Sequence, residues 1–366
     1  MTGNARSPKI VESVAVWQER LVHIIDSHFH WWPRSIFDKL CKRKDFPKSR
    51  VNTRGGYDYT RRQDSGAHLN SWAEWFDLDK QFAYMDSLGH QVDVVCSIGP
   101  FSVAFSDMPL AEGRDYALMW NEEMAGAQKK YPGRLWASAA VPLQDTRVAI
   151  EVVDDAVNRL GLMGVNLPGS VGSDARIDAE RLEPFYTHVE KLGLPTFLHP
   201  TDVIFQDALD GYDGALHLSL GRVIEVSVAA MRLILSGMME RHPNLKIVMS
   251  HTGGSLPYQA GRMDKNSKAA NLPKPVQDYM KRMYTDTVSP HAAGMKFAID
   301  YYGIDHVMYG TDYPCWDPAA CLKLIDEIKL SPADTQKLFY DNARRILGLK
   351  DPTPQAQPSK REPALA

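Results

Sequence analysis

Only four of the 366 residues are cysteine (Cys41, Cys96, Cys315 and Cys321), and no CxxC spacing occurs among them. That excludes a disulfide-stapled scaffold and suits a reducing compartment. An excess of either charge is missing as well, since 42 Lys and Arg face 45 Asp and Glu and leave a formal net charge of −3. Nothing in that balance draws the chain toward nucleic acid or an anionic membrane surface, although a small acidic ligand can still meet local arginines. No apolar run reaches about 18 residues, and the opening stretch has no apolar signal core. The expectation is a soluble, cytoplasmic protein with no membrane and no nucleic-acid partner. No GxGxxG follows the first predicted strand, which weakens a dinucleotide-binding fold.

What is present is ordinary globular material, 44% hydrophobic and 24% charged. Residues 1–20 read as a polar lead-in with a short helix around 10–20. VHIIDSH (22–28) reads as a buried strand. Residues 31–80 carry Trp31, Trp32, Trp72 and Trp75, several glycines and two basic clusters, without clean periodicity. Such a stretch inside a compact domain reads as an insertion or lid. From there strands and amphipathic helices alternate through 91–99, 134–142, 162–169, 194–200, 245–251, 283–288 and 306–314. Eight β-like runs separated by helical patterns predict a (β/α)₈ TIM barrel over residues 21–350, with the insertion after its first strand. An open doubly wound sheet would allow the same alternation. The Pro- and charge-rich tail 351–366 is expected to be disordered.

In such a barrel, chemistry sits where strands end and βα loops begin. The twelve histidines are unevenly placed, because His28, His30, His199 and His251 all fall at predicted strand ends. Asp312 ends the last strand. A single HxH is weak, since either ring can be a hydrogen-bonded core residue. Jointly, imidazoles and one carboxylate suit a borderline cation such as Zn²⁺ with one position open to water or substrate.

The order HFH (28–30), FLHPTD (197–202), SHTGGSLPYQAGRMD (250–264) and YGTDYP (309–314) resembles the amidohydrolase superfamily. AAVPLQD (139–145) and GVNLPGS (164–170) make it similar to the branch of aminocarboxymuconate-semialdehyde, isoorotate and γ-resorcylate decarboxylases. The resemblance implies His28, His30, His199 and Asp312 as metal ligands and His251 as the histidine that polarises water or substrate and moves protons; either Asp312 or His251 could supply the proton a decarboxylation needs. It implies one divalent ion, Zn²⁺ first and Mn²⁺ second, and no organic cofactor. Arg262 matches an arginine that binds a substrate carboxylate, and Arg61-Arg62 lie where relatives carry another. Two-metal members use a lysine on the fourth barrel strand, where this chain has Asn166, so one metal is expected.

Two reaction classes stay open on such a site. Non-oxidative decarboxylation of a small aromatic or unsaturated acid is the leading expectation. Hydrolysis of a C–C bond, lactone or amide is the alternative. Trp31 and Trp32 either line the substrate wall or pack in the core. Asp286 either orients a site histidine or caps a turn, and Cys315 reads as packing. The apolar stretch within 218–240 suggests burial between barrel and lid or against a second subunit, and the resemblance implies a homodimer or homotetramer.

Overall fold

The computed structural model describes residues 22–61, 68–174, 176–201 and 204–349. The expected lead-in, Arg62 and the tail 351–366 lie outside the described residues. In chain order the strands are β1 (His23–His30), the short β2 (Lys48–Val51), β3 (Tyr57–Thr60) and β4 (His68–Asn70), then β5 (Gln91–Ser97), β6 (Leu135–Ala139), β7 (Gly164–Pro168), β8 (Pro195–His199), β9 (Lys246–Met249) and β10 (Tyr284–Thr285). Seven of them form one sheet in the order β1-β5-β6-β7-β8-β9-β10, and every pairing is parallel.

Helices cross between successive strands, as parallel pairing requires. They include Leu110–Lys130, Thr146–Asp154, Glu183–Leu192, Arg222–Leu235 and Leu256–Asn266. Their ends follow local chemistry. The Asp145 carboxylate accepts the Val148 amide at 2.9 Å to start one helix, and Gly193 at φ 67° ends another. Gly237, at φ 75°, divides the long apolar stretch into Arg222–Leu235 and Met238–Arg241. All residues of β7 and β8 are buried, the pattern of strands covered on both faces.

Two expectations need correction. The segment predicted as the last strand, 306–314, forms no regular strand. It runs between the two edges of the sheet instead. Met308 N–H donates to Thr285 at 2.9 Å on one side, and Ser27 N–H donates to Tyr309 at 2.8 Å on the other. Further along, Asp312 N–H donates to His28 at 2.7 Å. Asp312 itself sits at φ 60°, a left-handed conformation that no extended ladder accommodates.

The segment 31–80 also has more order than its lack of periodicity predicts. It holds the helix Arg34–Leu40 and an antiparallel sheet β2-β3-β4. Tyr57 and Tyr59 are buried while Asp58 and Thr60 are half-buried, a short period-two signal. The buried rings pack with Trp32, Phe37, Phe76 and Phe101 in one aromatic cluster. Among the described residues, no helix is long and apolar enough to cross a membrane.

Candidate metal centre

Side chains two apart on a strand share a face, and β1 brings its two imidazoles together: His28 Nε2 and His30 Nε2 lie 3.1 Å apart. β8 ends in His199, whose ring centroid is 5.2 Å from that of His28 and 5.3 Å from that of His30. The 307–313 segment adds Asp312, with Oδ1 2.9 Å from His30 Nε2 and 3.5 Å from His28 Nε2. One ligand atom from each of these four buried residues lies within 4.8 Å of all the others.

The tautomers follow from the other edge of each ring. His28 Nδ1 faces the Asp286 carboxylate at 2.6 Å. His30 Nδ1 faces the Ser97 carbonyl at 3.0 Å, and His199 Nδ1 faces the Pro200 carbonyl at 2.8 Å. Carbonyls and carboxylates only accept, so each Nδ1 carries the proton and each Nε2 presents a lone pair. Lone pairs converging in a buried space are unfavourable. His199 Nε2 has no hydrogen-bond partner at all, and an orphaned buried polar atom costs about 1–3 kcal/mol. A cation at this point relieves every one of these conflicts, so the donor set fits a divalent ion.

Charge states agree with that fit. Burial, followed by the neighbouring imidazoles His28, His30 and His251, holds His199 well below the usual histidine range, so it stays neutral. Burial also lowers His28, against the pull of Asp286. Burial alone would raise Asp312. The adjoining His251, His30 and His28 imidazoles outweigh it and hold the carboxylate well below its ordinary value.

Two backbone features keep this space open. Gly99 lies so close to His30 that an added Cβ would come within 2.6 Å of the ring, and a Cβ on Gly310 would come within 2.8 Å of the Cβ of His28. His251, Thr252, Gly253 and Gly254 all have φ between 55° and 75°. This left-handed turn brings His251 Nε2 to 3.7 Å from Asp312 Oδ2. Its other ring nitrogen, Nδ1, has no partner.

Asp286 performs both tasks open to it. One oxygen holds His28, and the other accepts the amides of Thr252 and Val288 at 3.1 and 3.0 Å. Asn166 uses both polar atoms on the strands beside it. Its Oδ1 accepts from Ile98 N–H and Ser138 O–H, and its Nδ2 donates to the Ser138 and Ala139 carbonyls. Cys315 keeps its thiol protonated, because burial and the charge of Asp312 push it well above its ordinary value.

The expected substrate-binding residues scatter. Trp31 is half-buried with an unpartnered indole N–H. Trp32 is 1% exposed within the aromatic cluster, and its indole donates to the Ile98 carbonyl at 3.1 Å, which places it in the core and away from a substrate wall. Arg61 is also buried. Its guanidinium grips Asp107 and the Gly172 carbonyl through Nε and Nη2, fastening the end of β3 to the loops after β5 and β7, while Nη1 has no partner among the described residues. Arg262 is exposed on the helix Leu256–Asn266. Two neighbours of the site that the sequence did not single out are Gln81, whose amide donates to the His30 carbonyl at 3.0 Å, and the Trp75 ring. The four tryptophans clustered in 31–80 were the one available signal for the latter.

With this geometry in place, comparison with known proteins assigns the class. The amidohydrolase family matches residues 25–349, and the chain belongs to that family. Within it the chain groups with a branch of decarboxylases. It is 30% identical over 286 residues to γ-resorcylate decarboxylase of Rhizobium sp. strain MTP-10005, covering 74% of this chain and 87% of that one. It is 30% identical over 245 residues to 2-amino-3-carboxymuconate-6-semialdehyde decarboxylase of Dictyostelium discoideum, covering 64% of this chain and 67% of that one. The crystal structure of 5-carboxyvanillate decarboxylase of Novosphingobium aromaticivorans, complexed with manganese and 4-hydroxy-3-methoxy-5-nitrobenzoic acid, superposes with a TM-score of 0.74. It is 22% identical and the match covers 91% of this chain and 97% of that one.

Proposed function

We propose that this protein is a metal-dependent, non-oxidative decarboxylase of a small aromatic or unsaturated carboxylic acid. The architecture is a (β/α)₈ barrel over 21–350 whose 31–80 insertion shapes the mouth. The observation that carries this reading is the convergence of three Nδ1-protonated imidazoles and Asp312 in a chain similar to curated decarboxylases. The manganese in the related crystal structure supports Mn²⁺ beside Zn²⁺ as the ion.

His28, His30, His199 and Asp312 would hold the ion, which supplies Lewis acidity toward a carboxylate and an adjacent oxygen. Asn166 offers no bridging ligand, so one ion per chain follows. The reaction breaks the bond between the ring carbon and its carboxylate, the electron pair stays on the carbon, and CO₂ leaves. A proton must then reach that carbon. His251 Nε2 or Asp312 Oδ2, 3.7 Å apart, would hold and deliver it. Trp31 contributes apolar surface beside His30, and Arg262 binds the substrate carboxylate of its own or a neighbouring subunit. A cytoplasmic homodimer or homotetramer completes the reading.

Metal-loaded protein incubated in D₂O with a panel of ortho-hydroxylated benzoic acids, γ-resorcylate included, should release CO₂ and place one deuteron on the product ring per turnover. Elemental analysis should give one ion per chain. Water oxygen incorporated into product without CO₂ would establish the hydrolase alternative instead.

A further inference from the structure

Of the three candidate histidine ligands, only His30 has an aromatic ring stacked nearly parallel to it among the described residues. Trp75 stacks on it with centroids 5.7 Å apart and planes 14° apart. The rings around His28 and His199 are mostly other site imidazoles set edge-on. Trp75 comes from the 31–80 segment, 45 residues from His30 in the chain. It is 4% exposed, and its carbonyl accepts the Trp32 amide at 2.8 Å. Its indole N–H has no acceptor, whereas that of Trp32 is bonded to Ile98. The ring is therefore held by its neighbours: His30, the tilted Trp32 ring with its centroid 4.0 Å away, and Trp72 edge-on.

We propose that Trp75 is a positioning residue for the metal centre, fixing the plane of the His30 imidazole and favouring its metal-bound state. The other sides of that ring are already fixed by the Ser97 carbonyl on Nδ1 and by the close approach of Gly99. Trp75 adds the stacked contact. An imidazole that coordinates a cation gains positive character, and an indole face attracts such a ring more strongly than a phenyl face, which in turn exceeds an aliphatic one. Through this contact the segment that shapes the mouth also sets how tightly the centre holds its ion. The inference rests on the metal site proposed above.

The test measures Zn²⁺ affinity by chelator competition, alongside thermal stability, for the whole chain and four variants. Trp75→Leu should weaken affinity about 10–100-fold, the range seen when partners behind a ligand are removed. Trp75→Met serves as a milder replacement if Trp75→Leu does not fold. Trp75→Phe should recover most of the loss. Phe37→Leu lies in the same aromatic cluster and contacts Trp32, Tyr57, Phe76 and Phe101. It should lower stability while leaving affinity within about twofold. Wild-type affinity in Trp75→Leu or Trp75→Met would overturn the proposal. So would equal losses in Trp75→Phe and Trp75→Leu, or an equal loss in Phe37→Leu. If the unaltered chain binds no Zn²⁺ or Mn²⁺, the metal site itself fails, which separates that outcome from failure of the Trp75 role alone.

Discussion

Two buried histidine environments in this molecule use the same ring for opposite ends. At the C-terminal ends of the strands, His28, His30 and His199 each have Nδ1 bonded to an acceptor and Nε2 left facing the others. At the opposite end, four residues before β9, His242 has a carboxylate on both nitrogens: Glu190 Oε2 at 2.9 Å and Glu183 Oε1 at 2.8 Å. With a carboxylate on each side, His242 has neither nitrogen free to face another ligand. What marks a candidate ligand is therefore an Nε2 turned toward the other donor atoms, and burial alone does not distinguish the two. The contrast predicts divergent outcomes for one substitution. His199→Ala should reduce metal affinity and turnover by more than about 100-fold, beyond the effect of losing a partner behind a ligand, with the chain still folded. His242→Ala should cost about 1–3 kcal/mol in urea unfolding and leave metal content at the wild-type value. Metal analysis and unfolding curves on both variants would break the comparison if the two effects appeared together.

Asp286 sharpens the same contrast, because it is the acceptor that turns His28 toward the centre. Burial works against its charge, but His28, the His251 ring and the Thr252 amide hold its carboxyl below the ordinary value. Asp286→Asn keeps the shape and loses the charge. Metal affinity should fall about 10–100-fold, with a smaller change in stability. Unchanged affinity would mean that the four ligands alone orient the centre.

The cluster of side chains that could hold an ion was legible in the sequence. Strand periodicity places His28 and His30 on one face, and strand ends in a parallel α/β chain converge, so His199, His251 and Asp312 could be gathered without coordinates. What stayed hidden depends on contacts between distant segments. Arg61 and Asp107 are 46 residues apart, Trp75 and His30 are 45 apart, and no local pattern pairs them. An arginine in a basic cluster reads as solvent- or substrate-facing until a buried carboxylate is found beside it. Trp32 was ambiguous for a similar reason, since an aromatic after a ligand suits either wall or core, and only the Ile98 carbonyl decides between them. The 306–314 segment misled because its apolar run is strand-like, while the left-handed Asp312 that breaks it is the conformation that aims the ligand.

The smallest effect concerns the far end of the sheet, where charge stabilises without chemistry. Glu183 is drawn down to about 2 from an ordinary 4.5, chiefly by the two bonds from Arg241, with burial opposing and His242 adding to the pull. A carboxyl lowered on folding stabilises the protein at any pH above its unfolded value, and that stability disappears as pH falls through the folded one. The window here runs from about 4.5 down to about 2. Wild type should therefore exceed Glu183→Gln by about 0.5–1 kcal/mol near neutral pH, a modest figure because solvent reaches the pair. The gap should narrow steadily below pH 4.5. Metal-free protein must be used for both, since protonation of the ligand imidazoles releases the ion on acidification and adds its own loss. A gap that stayed constant across that window would show that hydrogen bonding alone, without charge, joins the two helices at His242.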